Sequence, residues 1–67
     1  MEQTPAERAA QVYDLFRGDP PECRSSYLHD HYRRGKLGVQ RPGRDQVAAL
    51  AAWKAGRDDA QAANSSP

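Results

Sequence analysis

The 67-residue sequence predicts a mainly α, small three-helix domain, and three observations support this fold class. Two segments open with a capping residue, a proline and then a glutamate, a pattern typical of helix starts. Apolar residues recur at helical spacing in three stretches of the chain. Only 37% of the residues are hydrophobic, and a chain of this size buries about 60% of its unfolded surface. A multi-domain enzyme and a deep cofactor pocket are therefore excluded.

The first helix is predicted at about residues 5–17. Thr4 suits the N-cap, Pro5 the first helical position, and Gly18 the left-handed position that ends a helix. The second helix is predicted at about residues 20–34, with Asp19 as its cap and Gly35 as its stop.

Residues 35–44 carry three glycines and a proline, and they predict a glycine-rich loop, or a short wing, between helices 2 and 3. The third helix begins near Arg44 or Asp45 and runs to about Ala55, or onward to Ala60. Residues 1–60 then form the single domain, and residues 61–67 are expected to be a disordered tail. Large apolar residues supply the expected core: Leu15, Phe16, Leu28, Tyr32, Leu50 and Trp53.

The residue pattern offers no catalytic or metal centre. Cys23 is the only cysteine, so the chain has no internal disulfide. His29 and His31 lie two apart on a predicted helix and point about 200° away from each other, so they do not converge on a metal. His31 is expected to be a half-buried core residue, and His29 a solvated one. The sequence predicts no enzyme, no cofactor, no membrane segment and a cytoplasmic location.

Positive charge is concentrated in the middle third of the chain. Residues 1–23 carry five acids and two bases, residues 24–44 carry one acid and six bases, and residues 45–67 carry three acids and two bases. The three sums are −3, +5 and −1, which give the formal net charge of +1. This uneven distribution indicates a polyanionic partner, although the total charge alone does not.

This basic block predicts nucleic-acid binding, because arginine forks match phosphate geometry and glycine permits close backbone approach. The candidate contacts are His29, Arg33, Arg34, Lys36, Arg41 and Arg44. The alternative is a protein-interaction module, an inhibitor or adaptor that docks on a larger host complex. Its aromatic anchors would be Tyr13, Tyr27 and Trp53, since aromatic residues dominate interface energetics. A homodimer is compatible with both.

A pattern over about residues 28–53 resembles the winged helix-turn-helix family of phage excisionases and MerR-like regulators. Residues 28–34 resemble its recognition helix, and Gly35-Lys36-Leu37 resembles the end of that helix. The Gly43-Arg44 pair resembles the wing, and Leu50 and Trp53 resemble the closing hydrophobic pair. The resemblance implies a small regulatory DNA binder of phage or mobile-element origin. It implies that His29, Asp30 and Arg33 face bases, while Lys36, Arg41 and Arg44 meet phosphates.

A second pattern spans about residues 32–60. Tyr32, Gly35 and Gly38 have fixed spacing, Pro42 follows, and Trp53 precedes Gly56 by three residues. This pattern resembles ribosome modulation factor and its small relatives. The resemblance implies binding to ribosomal RNA without catalysis. Both families imply a nucleic-acid target for the same basic block, and the winged-helix family is favoured here because its pattern includes the basic positions.

Overall fold

The computed structural model describes residues 2–65 and contains three α-helices: α1 (Pro5–Phe16), α2 (His29–Leu37) and α3 (Val47–Ser65). A 3-10 turn, Pro21–Cys23, lies between α1 and α2. The predicted mainly α fold is confirmed. Residues 38–46 form an irregular loop, and the described residues contain no strand that would build a wing. Among the helices of residues 2–65, none has the length and apolar character needed to cross a bilayer.

Helix α1 forms as its local sequence predicts. Thr4 is extended and its Oγ1 accepts a hydrogen bond from the Glu7 N–H at 3.2 Å, while Pro5 opens the first turn. The helix ends at Phe16, and Gly18 takes the left-handed conformation with φ +81°. Val12 and Phe16 are its buried residues.

Helix α2 corrects the sequence prediction, because it begins at His29 and not near residue 20. The Ser26 side chain accepts a hydrogen bond from the Leu28 N–H at 3.2 Å, and its carbonyl accepts from His29, so residues 24–28 form turns. Serine competes with helical hydrogen bonding in this way. Asp19 caps nothing, since its carboxylate contacts the His29 ring instead.

Gly35 lies inside α2, and the helix ends instead at Leu37, with Gly38 as its left-handed C-cap at φ +70°. A β-carbon on Gly35 would sit 1.9 Å from the Trp53 carbonyl oxygen of α3, and one on Gly56 would sit 1.9 Å from the Tyr32 carbonyl oxygen of α2. Each helix therefore presents a glycine to the backbone of the other. Because residue 32 meets 56 and residue 35 meets 53, the two helices run antiparallel.

Helix α3 is longer than predicted and continues through Gln61–Ser65, part of the segment expected to be a tail. Its last five residues are exposed, and the alanines in this part of the helix have a high intrinsic helix propensity. Residues 66–67, the rest of the predicted tail, lie outside the described residues.

The core confirms four predicted residues and corrects one. Phe16, Leu28, Tyr32 and Trp53 are buried. Leu50 is half-buried, whereas Leu15 is 58% exposed because α1 turns only its Val12–Phe16 stripe inward. Alanines of α3 fill the remaining core: Ala49, Ala51, Ala52 and Ala55. Small side chains here match the close approach of the helices at their glycines.

Candidate nucleic-acid interface

The outer face of α2 carries three of the predicted phosphate contacts. Arg33 is exposed and lies between two shallow grooves, one reaching Lys36 and the other reaching Arg34. Leu37 lines both grooves and is 76% exposed. Each groove also contains one acid, Asp19 in the groove that reaches Lys36 and Asp30 in the groove that reaches Arg34. The structure thus brings Arg33, Arg34 and Lys36 together around an exposed leucine.

These cations have no acidic partner. Across residues 2–65, no carboxylate lies within ion-pair distance of any of the five basic residues that the sequence analysis assigned to phosphate. They are Arg33, Arg34, Lys36, Arg41 and Arg44. Their charges are therefore available to an external anion.

Three other arginines are paired within the protein. Arg17 Nε lies 2.7 Å from Asp59, and Arg24 Nε lies 3.4 Å from Asp19. Arg57 Nε lies 3.5 Å from Asp58, in an ion pair that lacks hydrogen-bond geometry. Arg17, Arg24 and Arg57 therefore stabilise the fold, unlike the unpaired cations of the basic block.

His29 also makes contacts within the protein. Its Nε2 lies 2.8 Å from Asp19 Oδ1, and its ring stacks on Tyr32 with centroids 5.5 Å apart. The His29 hydrogen bond, followed by the Arg24 contact, holds the pKa of Asp19 below its usual value despite partial burial. The prediction of a solvated His29 is wrong, because its side chain is mostly buried between Asp19 and the Tyr32 ring, where it positions the turn at residue 19.

The loop after α2 is held against α3. Trp53 Nε1 donates a hydrogen bond to the Val39 carbonyl at 2.9 Å, and the Arg41 guanidinium lies 6.0 Å from the Trp53 ring centroid. Lys36 Nζ lies 5.2 Å from the centroid of the Tyr32 ring. These contacts place Lys36 over the Tyr32 ring of α2 and Arg41 over the Trp53 ring of α3.

Arg44 lies apart from the other four cations. It lines a groove between α1 and α3, together with residues such as Ala10 and Leu50. No residue of α2 lines that groove. The basic block therefore consists of a cluster on α2, Arg41 beside Trp53, and a separate cation in the loop before α3.

The three aromatic residues predicted as protein-interface anchors differ in exposure. Tyr27 is 75% exposed and lies in the turn before α2. Tyr13 is half-buried, and its hydroxyl donates a hydrogen bond to Asp58. Trp53 is only 6% exposed and belongs to the core, so Tyr27 is the most accessible of the three aromatic residues.

A polar network that the sequence analysis did not predict joins the three helices at Asp59. Its carboxylate accepts hydrogen bonds from the Tyr32 hydroxyl at 2.6 Å, the Gly18 N–H at 2.8 Å and Arg17 Nε at 2.7 Å. Burial opposes ionisation, but these three donors outweigh it and lower the pKa of Asp59. Burial, reinforced by the Asp59 carboxylate, raises the pKa of Tyr32. The adjacent Asp58-Asp59 pair on an apolar helix was the available sequence signal.

No cofactor or metal cradle stands out in the described part of the chain. No three His, Cys, Asp or Glu side chains converge there in a way that could hold a metal ion. Cys23 is a half-buried free thiol whose Sγ contacts the Leu15 carbonyl at 3.3 Å. His31 is half-buried, as predicted, and its Nδ1 has no hydrogen-bond partner among the described residues.

No protein-family model, curated protein or solved structure gives a significant match to this chain.

Proposed function

We propose that the protein is a small, non-enzymatic nucleic-acid-binding accessory protein that contacts phosphates with α2 and the loop after it. The observation that carries this proposal is the unpaired state of the α2 cations, set against the internal pairing of Arg17, Arg24 and Arg57. A protein of net charge +1 that leaves this cluster unpaired has a local positive field that its total charge hides.

The binding surface consists of Arg33, Arg34, Lys36 and Arg41. Arg33 stands between two grooves, so a phosphate on either side of it also meets a second cation, Lys36 or Arg34. Arginine binds phosphate with two parallel hydrogen bonds, whereas lysine acts as a point charge. The exposed Leu37 at the centre supplies an apolar contact for a sugar or a base.

Ribosomal RNA is the favoured target within this proposal. Recognition of the winged-helix type needs strands at residues 35–44, but residues 35–37 belong to α2 and residues 38–44 form an irregular loop. Tyr32, Gly35, Trp53 and Gly56, which carry the resemblance to ribosome modulation factor, make one contact between α2 and α3. Those residues support the shape of the helix pair, and the cations beside them supply the contact with RNA. A cytoplasmic location follows for such a protein.

The test is a salt titration of binding to fluorescent probes: a structured RNA hairpin, a DNA duplex and a single strand. The logarithm of the affinity falls by about 0.7–0.9 per phosphate contact for each tenfold rise in salt. We expect a steep slope for the wild-type protein and a shallower slope for the double variant Arg33→Gln, Arg34→Gln. Stronger binding to the hairpin than to the duplex would support RNA as the target.

The matched control is Arg8→Gln, which removes one exposed, unpaired cation from α1. It should leave affinity and slope nearly unchanged. An affinity that does not depend on salt concentration would contradict the proposal. So would an equal loss of affinity in Arg8→Gln and in single α2 variants such as Arg33→Gln.

The second candidate is a protein-interaction module, favoured by the exposed apolar residues Tyr27, Leu37 and Val39 around α2. A pull-down from the native cell extract, with and without nuclease, separates the two functions. Partners lost after nuclease treatment support nucleic-acid binding. A single protein retained after nuclease, and lost when Tyr27 or Leu37 is replaced by serine, supports the module.

A further inference from the structure

A groove between α1 and α3 has a volume of about 470 Å³. It lies on the face of α3 that carries Val47, Leu50 and Lys54, whereas α2 packs against Trp53 and Gly56. The groove is therefore separate from the proposed nucleic-acid surface, and an occupant would leave the α2 cations accessible.

The floor of the groove is apolar and incompletely covered. On the α1 side, Ala6 and Ala10 are exposed, so another backbone can approach α1 closely. On the α3 side, Val47 and Leu50 are only half-buried. A helix placed here would cover apolar surface that the single chain leaves in water.

The rims of the groove carry opposite charges. Asp14 lies on the α1 rim, and Arg44 and Lys54 lie on the α3 rim. None of the three has an ion-pair partner among residues 2–65. An isologous interface uses the same patch on both subunits, so a patch that carries both signs on opposite sides matches itself after a two-fold rotation.

We propose that the occupant is a second copy of this chain, with α1 of each copy lying in the groove of the other. Ala6 and Ala10 of the two copies meet at the symmetry axis, and Asp14 of each copy pairs with Arg44 or Lys54 of the other. Helix α1 carries two acids and one base, α2 one acid and three bases, and α3 two of each, which favours α1 over the other helices as the segment beside these cations.

The size of the contact makes this dimer weak. Helix α1 has 12 residues and is about 18 Å long, so one helix pair covers less than the roughly 800 Å² per partner of a standard interface. The dimer therefore forms at high protein concentration, and its population rises with concentration.

The test uses charge exchange, followed by analytical ultracentrifugation from about 10 µM to about 1 mM, a range suited to weak association. One variant is Asp14→Arg, and the other is the double variant Arg44→Glu, Lys54→Glu. Each variant alone places like charges across both rims, so each should sediment as a monomer. An equimolar mixture places opposite charges across both rims, so the mixture should recover the dimer as a mixed pair.

Glu22→Arg is the control, because it makes the same change in charge at an exposed position outside the groove. It should dimerise like the wild-type chain, and circular dichroism should show that every variant is folded. The proposal would be overturned by a wild-type chain that stays monomeric at about 1 mM, because a dimer with a dissociation constant of about 1 mM or less is detectable at that concentration. It would also be overturned by a dimer that persists in both charge variants, or by a folded mixture that does not associate.

Discussion

Replacing Gly56 with alanine tests the contact between α2 and α3. The new β-carbon would lie 1.9 Å from the Tyr32 carbonyl oxygen, 2.9 Å from the Tyr32 carbonyl carbon and 3.1 Å from the Lys36 nitrogen. All three are backbone atoms, so no side-chain rotation relieves the overlap. A C···O contact needs about 3.3 Å, and the helices must therefore separate by more than about 1 Å.

Two effects of opposite sign set the size of the change in unfolding free energy. Alanine is favoured over glycine inside a helix by about 1 kcal/mol. Overpacking costs about 1–3 kcal/mol, and occasionally more, where neighbours cannot move. A clash with rigid backbone belongs at or above the upper end of that range, about 3 kcal/mol or more. The net loss is then at least about 2 kcal/mol, which lowers the thermal midpoint by about 8–16 °C in a domain of this size.

Thermal and urea unfolding followed by circular dichroism measures this loss. Gly43→Ala is the matched control, since its nearest neighbour is the end of the flexible Asp45 side chain at 2.8 Å. That variant should stay within about 0.5 kcal/mol of the wild-type stability. If Gly56→Ala were as stable as the wild-type protein, or more stable, the close approach of the two backbones would be refuted.

Two further predictions concern acid and the α1 face. The pKa values of Asp19 and Asp59 are lowered in the folded state, so both ionised carboxylates stabilise the fold. This stabilisation is complete above the unfolded-state pKa of about 3.9 and is lost as pH falls below that pKa. Asp59→Asn should therefore lose less stability than the wild-type protein between pH 6 and pH 3, and equal losses in urea unfolding would contradict this. Phe16→Ala should cost about 3–5 kcal/mol, whereas Leu15→Ala should cost under about 1 kcal/mol, and similar losses in the same assay would contradict the burial pattern.

Local signals predicted α1 well and α2 poorly. Thr4, Pro5 and Gly18 act within one turn of their own positions, so their sequence order was sufficient to locate α1. Asp19 and Pro20 show the same start pattern, but Asp19 is drawn to the His29 ring ten residues later. That contact depends on the folded chain, and no local pattern contains it.

The glycines of the helix crossing were visible in the sequence but not their role. Gly35 was predicted to stop a helix, which is its common use, whereas the structure places it where α3 leaves no room for a β-carbon. The same crossing explains why alanines form much of the core. A helical face rich in alanine predicts close packing, but its partner is known only from the fold.

The basic cluster could be predicted from composition, but its availability could not. Arg24 and Arg33 look alike in the sequence, yet one is paired with Asp19 and the other is unpaired. Pairing depends on where distant acids come to lie, and Asp59 shows this, since its partner Arg17 is 42 residues away. The sequence therefore identified the positive segment, and the structure separated its internal ion pairs from its unpaired charges.

The position of Asp59 has a consequence for how the molecule opens. A single carboxylate on the last helix holds the end of the first helix through Gly18 and the second helix through Tyr32. Detaching either neighbour leaves this group short of donors in a partly buried place, which weakens its hold on the other. The three helices are thereby coupled into one unfolding unit, and amide exchange in their buried turns should occur through a shared opening event.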